Sequence, residues 1–97
     1  MQDPIVPSET QEGGRFFDRN QRNLGWAFKV SRRLSRVGNL TILDVSTTDI
    51  ALTNSLVSLD HERLFIQGTE PSGLSYRFVW ASGYANGRHI RIQGMLE

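Results

Sequence analysis

Alternation near the C-terminal end constrains this chain more than any other feature. Leu74, Tyr76, Phe78 and Trp80 stand two apart, with smaller or polar residues between them. Successive side chains on a strand point to opposite faces, so this spacing predicts a strand with one apolar face. Ser82 to Gly87 follows, with two glycines and an Asn86–Gly87 step, the chemistry of a chain reversal. His89, Arg91 and Gln93 then alternate with Ile90 and Ile92. The segment reads as a β-hairpin belonging to a small sheet protein.

Upstream, the same signals recur. Leu40–Val45 is rich in β-formers and follows the Gly38–Asn39 turn signal; Ser46–Asp49 interrupts it. Ile50–Leu52 and Ser55–Leu59 read as short strands, Asp60–Glu62 as a polar turn, and Arg63–Gln67 as a further strand. Residues 68–73 read as a loop. Residues 15–37 fit two patterns: Leu24, Ala27, Phe28, Ser31 and Leu34 keep helical spacing, whereas Trp26, Phe28 and Val30 alternate. The aromatic and β-branched content tips this stretch to a strand over about 25–31, then a turn or short helical piece over 32–37. Strands every 8–12 residues with turns between them are the pattern of a sandwich or small barrel. Residues 1–14 carry two prolines and Gly13–Gly14 and bury almost nothing, so they read as an extended arm.

Ninety-seven residues make one domain. The chain has no cysteine, which removes disulfides, thiol nucleophiles and thiolate metal sites. No apolar run approaches the ~18 residues of a membrane span, and the N-terminus lacks the pattern of a signal peptide. Asn39–Leu40–Thr41 matches a glycosylation acceptor, read as accidental without a secretion signal.

The net charge of +1 hides an asymmetry. Residues 15–36 carry seven basic groups (Arg15, Arg19, Arg22, Lys29, Arg32, Arg33 and Arg36) against Asp18 alone. Arg32, Arg33 and Arg36 beside Trp26 and Phe28 supply charge and stacking surface, the ingredients of single-strand nucleic-acid binding. A basic face that is solvated, or that docks on an acidic neighbour, is the other reading. The near-neutral total favours the latter, because nucleic-acid domains are usually basic overall.

Catalytic chemistry finds little support. His61 and His89 fall in no nucleophile or metal motif. Asp60, His61 and Glu62 are consecutive and point to different sides, so they do not converge on an ion. Gly83 and Gly87 lack the lysine and following helix of a phosphate loop. No catalytic, metal or cofactor-binding residue is expected.

Two stretches together resemble a known family. Gly25-Trp-Ala-Phe-Lys-Val-Ser-Arg-Arg-Leu34 leads through Gly38-Asn-Leu-Thr-Ile42 to Val45. Phe78-Val-Trp80, Ser82-Gly83, Tyr84-Ala-Asn86, Gly87 and Arg88-His-Ile-Arg-Ile92 close the chain. Over about residues 25–93 this order is similar to small Ig-like virion proteins of tailed bacteriophages, the fibre–tail adaptors and neck or tail accessory proteins. The resemblance implies an all-β, Ig-like β-sandwich: an arm over 1–14 and one β domain over 15–97. It also implies a non-enzymatic structural adaptor of a virion, assembled in the host cytoplasm. Such a protein docks onto portal, neck, tail or fibre subunits, as a homo-oligomeric ring and without a membrane. A small nucleic-acid-binding barrel using residues 15–36 is the alternative. Contacts are expected at Ile5, Val6, Arg15, Arg32, Arg33, Arg36 and Tyr84, and core positions at Trp26, Phe28, Phe78 and Trp80.

Overall fold

The computed structural model describes residues 9–35, 39–69 and 73–97. Eight strands and one helix follow one another: β1 (Glu9–Gln11), β2 (Gly14–Asp18), β3 (Asn23–Ala27), β4 (Lys29–Leu34), β5 (Thr41–Ser46), α1 (Ile50–Val57), β6 (Glu62–Gln67), β7 (Tyr76–Asn86) and β8 (His89–Leu96). The expected all-β class holds. The strands form one antiparallel sheet in the order β1-β4-β5-β8-β7-β6-β2-β3.

The two ends of that order are physically joined. β1 runs almost directly into β2, and β3 into β4 across the single residue Phe28. β1 pairs with β4 (Gln11 opposite Val30) and β2 with β3 (Gly14 opposite Ala27), in the same register on both sides of the bend. At the bend Gly13 donates its N–H to the carbonyl of Phe28 (3.1 Å), and Phe28 donates to Ser46 on β5 (3.0 Å). One long bent hairpin therefore reaches β6 through β2 and β5 through β4, curling the sheet around its core. Glu9–Gln11 of the expected arm is thus part of the sheet, while residues 1–8, with Ile5 and Val6, lie outside the described residues.

Strand alternation fills the interior with Phe16, Val30, Leu43, Val45, Leu64, Ile66, Tyr76, Phe78, Ile90 and Ile92, all buried. Helix α1 adds Leu52 and Leu56 from one face, four residues apart, with Leu59 just beyond it. This corrects the expectation of two short strands over 50–59. Asp49 decides the matter: its side chain accepts the N–H groups of Ala51 and Leu52, the arrangement of an N-cap, and the following turns place the leucines on the sheet.

The closing hairpin needs a second correction. Ser82–Asn86 is strand, not loop, so β7 runs eleven residues and the reversal is confined to Gly87 and Arg88. Gly87, with φ 63°, supplies the left-handed conformation that the turn requires. A register shift between Phe78 and Trp80 also breaks the single apolar face. Phe78 is core as expected, but Ala81 takes the next inward position, Trp80 is half-buried and Leu74 is exposed.

Two more core expectations fail. Trp26 and Phe28 are 50 % and 49 % exposed. Trp26 pairs with Arg15 on the outer surface, and the inward places go to Ala27 and Val30. Residues 32–34 continue β4 rather than forming a helical piece, because pairing with Leu43, Ile42 and Thr41 satisfies their backbone.

Candidate docking surface

The outside of the curled sheet divides into two faces. Directly opposed residues in antiparallel pairs share a face. The first face therefore carries the row Thr10, Ser31, Asp44, Arg91 and Tyr84 across β1, β4, β5, β8 and β7. Its polar groups largely satisfy one another. Thr10 and Ser31 hydroxyls lie 3.1 Å apart, Arg91 Nε donates to Asp44 Oδ1 at 3.0 Å, and Arg33 Nε stands 3.9 Å from Asp44 Oδ2. The hydrogen bond to Asp44, with a weaker contribution from Tyr84, holds the Arg91 guanidinium above its ordinary pKa. Ser46 and His89 are joined at 3.0 Å.

The second face differs in kind. Trp26, Arg15 and Gln67 form one row across β3, β2 and β6; Phe17, Phe65 and Arg77 form the next across β2, β6 and β7. Arg77 lies over the Phe65 ring at 5.2 Å, and Arg77 and Arg63 approach Glu97 at 3.9 and 3.6 Å. Arg15 is exposed and makes no ion pair among the described residues. Two grooves flank the Arg15–Trp26 pair. One runs toward α1, past Leu24, Gly25, Asp49 and Ala51; the other toward the bend, past Glu12, Ala27, Phe28 and Thr69.

The outer edge of β3 is not free for strand addition at this point. Trp26 donates its N–H to Asp49 Oδ2 (3.1 Å), and its carbonyl accepts from Thr47 Oγ1 (2.6 Å). The connection from β5 to α1 therefore covers that edge and fixes the backbone beneath the exposed indole.

The expected contact residues do not converge. Arg15 stands on the aromatic face. Arg33 and Tyr84 lie on the polar face, Arg33 facing Asp44 and Tyr84 beside Arg91. Arg32 turns toward the buried Tyr76, its guanidinium 5.7 Å from the ring centre. Arg36 lies outside the described residues. Strand alternation scatters the basic segment, since neighbours such as Arg32 and Arg33 must point to opposite sides. The expected core includes Trp26 and Phe28, and no sequence signal marks the half-buried Phe17 and Phe65 as outward-facing; aromatics in strands signal burial unless the register of the whole sheet is known.

Asp60, His61, Trp80 and Ser82 form the one histidine-centred constellation with a Ser and an Asp among the described residues. The His61 ring stacks on Trp80 (centroids 4.6 Å apart, 16° between planes), and its backbone has φ 53°. Asp60 Oδ1 and Ser82 Oγ both approach Nδ1, at 3.2 and 3.3 Å. A relay needs Ser and Asp on opposite ring nitrogens. The cluster acts instead as a polar clamp, in which Ser82 also accepts the backbone N–H of His61 at 3.1 Å. No group of three or more His, Cys, Asp or Glu side chains among the described residues is placed to hold a metal ion. No helix there is long and apolar enough to cross a membrane. Comparison with protein-family models, with curated proteins and with solved structures yields no match.

Proposed function

We propose that this chain is a non-enzymatic docking module, an adaptor that seats its aromatic outer face on a neighbouring subunit of a larger assembly. The observation that carries this reading is the pair of half-exposed rings, Trp26 and Phe28, beside Arg15, which makes no ion pair among the described residues. Tryptophan and arginine are enriched among the residues that dominate interface energetics, and exposed rings on a well-supported strand lose little entropy when covered. The resemblance in sequence supplies the setting: the neck, tail or fibre attachment of a tailed-phage virion, with copies arranged in a ring. Head-to-tail contacts between identical copies close in that way.

Co-purification from the native host lysate, read by size and mass, tests the proposal. A ring or a stable complex with a larger structural protein is expected, and Trp26→Ala with Phe28→Ala abolishes it. A clean monomer in both cases overturns it.

Single-stranded nucleic acid is the second reading, favoured by the placing of Arg15 between Trp26 on the neighbouring strand β3 and Phe17 two residues on along β2. A mobility-shift titration whose affinity falls steeply with salt would support it against the adaptor.

A further inference from the structure

Arg15 and Trp26 are directly opposed on β2 and β3, and both line each of the two grooves that flank them. The grooves lie to either side of Trp26 along β3: Asn23–Gly25 on one side, Ala27 and Phe28 on the other. A ligand seated here therefore crosses the indole, placing one group in each groove and a third at the Arg15 guanidinium. From this geometry we infer that the face takes an acidic peptide segment of a protein partner. An apolar side chain fills the groove on each side of Trp26, and a carboxylate between them pairs with Arg15. This inference rests on the docking role proposed for the same face and names the occupant.

Charge selects the occupant. Arg15 offers a planar fork suited to bidentate pairing with a carboxylate and has no ion-pair partner among the described residues. Several other cations on the molecule are tied up in ion pairs of their own. Arg63 and Arg77 approach Glu97, and Arg33 and Arg91 approach Asp44 on the far face. A nucleic-acid strand needs a track of cations along its backbone. Among the described residues Arg15 is the one cation that lines either groove, flanked by Asp49 in one and Glu12 in the other. Those acids repel a continuous phosphate chain but tolerate apolar groups beside them. They also confine the partner's negative charge to the crest between the grooves. One carboxylate in an apolar context matches this pattern; a polyanion does not.

The groove floor is firm enough to act as a template. Asp49 and Thr47 hold both backbone polar groups of Trp26, and Asp49 simultaneously caps α1. The ring is thus presented on a fixed backbone, which reduces the ordering cost of binding.

A random linear-peptide display library panned against the full chain, with the Trp26→Ala protein as counter-selection, tests the inference. The expected result is a consensus with Asp or Glu between two apolar residues. A synthetic consensus peptide should shift Trp fluorescence, bind at least tenfold more weakly to Arg15→Glu, and bind with intermediate strength to Arg15→Lys. Peptides that need Trp26 but carry no acid overturn the inference while leaving the docking face intact. Peptides whose binding survives Trp26→Ala, or no enrichment at all, overturn both. Tighter binding of a labelled oligothymidine than of any selected peptide assigns the face to nucleic acid and likewise overturns the inference.

Discussion

The carboxylate of Asp49 holds the backbone of Trp26. Its Oδ2 accepts the Trp26 N–H at 3.1 Å, while its Oδ1 accepts from Ala51 and Leu52 at the start of α1 (3.1 and 3.3 Å). One side chain therefore joins the helix that plugs the core to the strand that presents the docking ring. Helix caps alone contribute about 1 kcal/mol, and leaving the Trp26 N–H without its acceptor adds to that cost. Asp49→Ala is expected to lower stability by about 1–2 kcal/mol in urea denaturation. It should also weaken binding at the Trp26 face, because Asp49 both holds the Trp26 backbone and lines one of the flanking grooves.

Two glycines in the closing hairpin should respond differently to alanine. A Cβ on Gly83 would run into the Leu56 carbonyl of α1, a backbone atom that cannot move aside. Gly83→Ala should therefore displace the helix and cost about 2–3 kcal/mol or more. Gly87 faces open space, so Gly87→Ala meets only its positive φ of 63° and should cost about 1 kcal/mol. Thermal melting of both variants separates a packing requirement from a conformational one.

On the polar face, Asp44 serves Arg91 and Arg33 together. The Asp44 and Arg91 side chains are each a little over a quarter exposed, at 28 % and 27 %, so solvent still screens the pair. Asp44→Ala should cost up to about 1 kcal/mol. The raised Arg91 pKa fixes the sign of the pH effect. A group whose folded pKa is raised contributes stability that is fully present below its ordinary value and is lost only as pH climbs through the folded one. The Arg91 contribution is thus constant across the neutral range and fades only in strong alkali. Denaturation midpoints of wild type and Asp44→Ala measured against pH check this.

The inner and outer aromatics should part company on truncation. Phe78 is fully buried, and Phe78→Ala should cost about 3–5 kcal/mol. Trp26, half exposed, should tolerate Trp26→Ala with a stability change of about 0.5–1 kcal/mol. Paired denaturation curves decide. A large loss at Trp26 would mean that the ring supports the fold rather than a partner.

The sequence by itself determined the all-β class, the positions of β5 and β6, and the presence of a closing hairpin, though not where its turn begins. Each of these is marked locally, by alternation such as Leu64/Ile66 or Ile90/Ile92 and by turn residues such as Gly87. Three things lay beyond it. Helix α1 hid among Thr53, Asn54 and Ser55, residues of modest helix propensity, and forms because Asp49 caps it and Leu52 and Leu56 find a sheet to cover. Which face of β3 turns inward depends on the register of the whole bent hairpin, and a shift of one residue would exchange Trp26 with Ala27. The basic segment, continuous along the chain, is divided in space because successive strand residues point to opposite sides. Local patterning marks most of the residues that extend; only the curling of the sheet around its core decides which side of each strand meets the core and which is left for a partner.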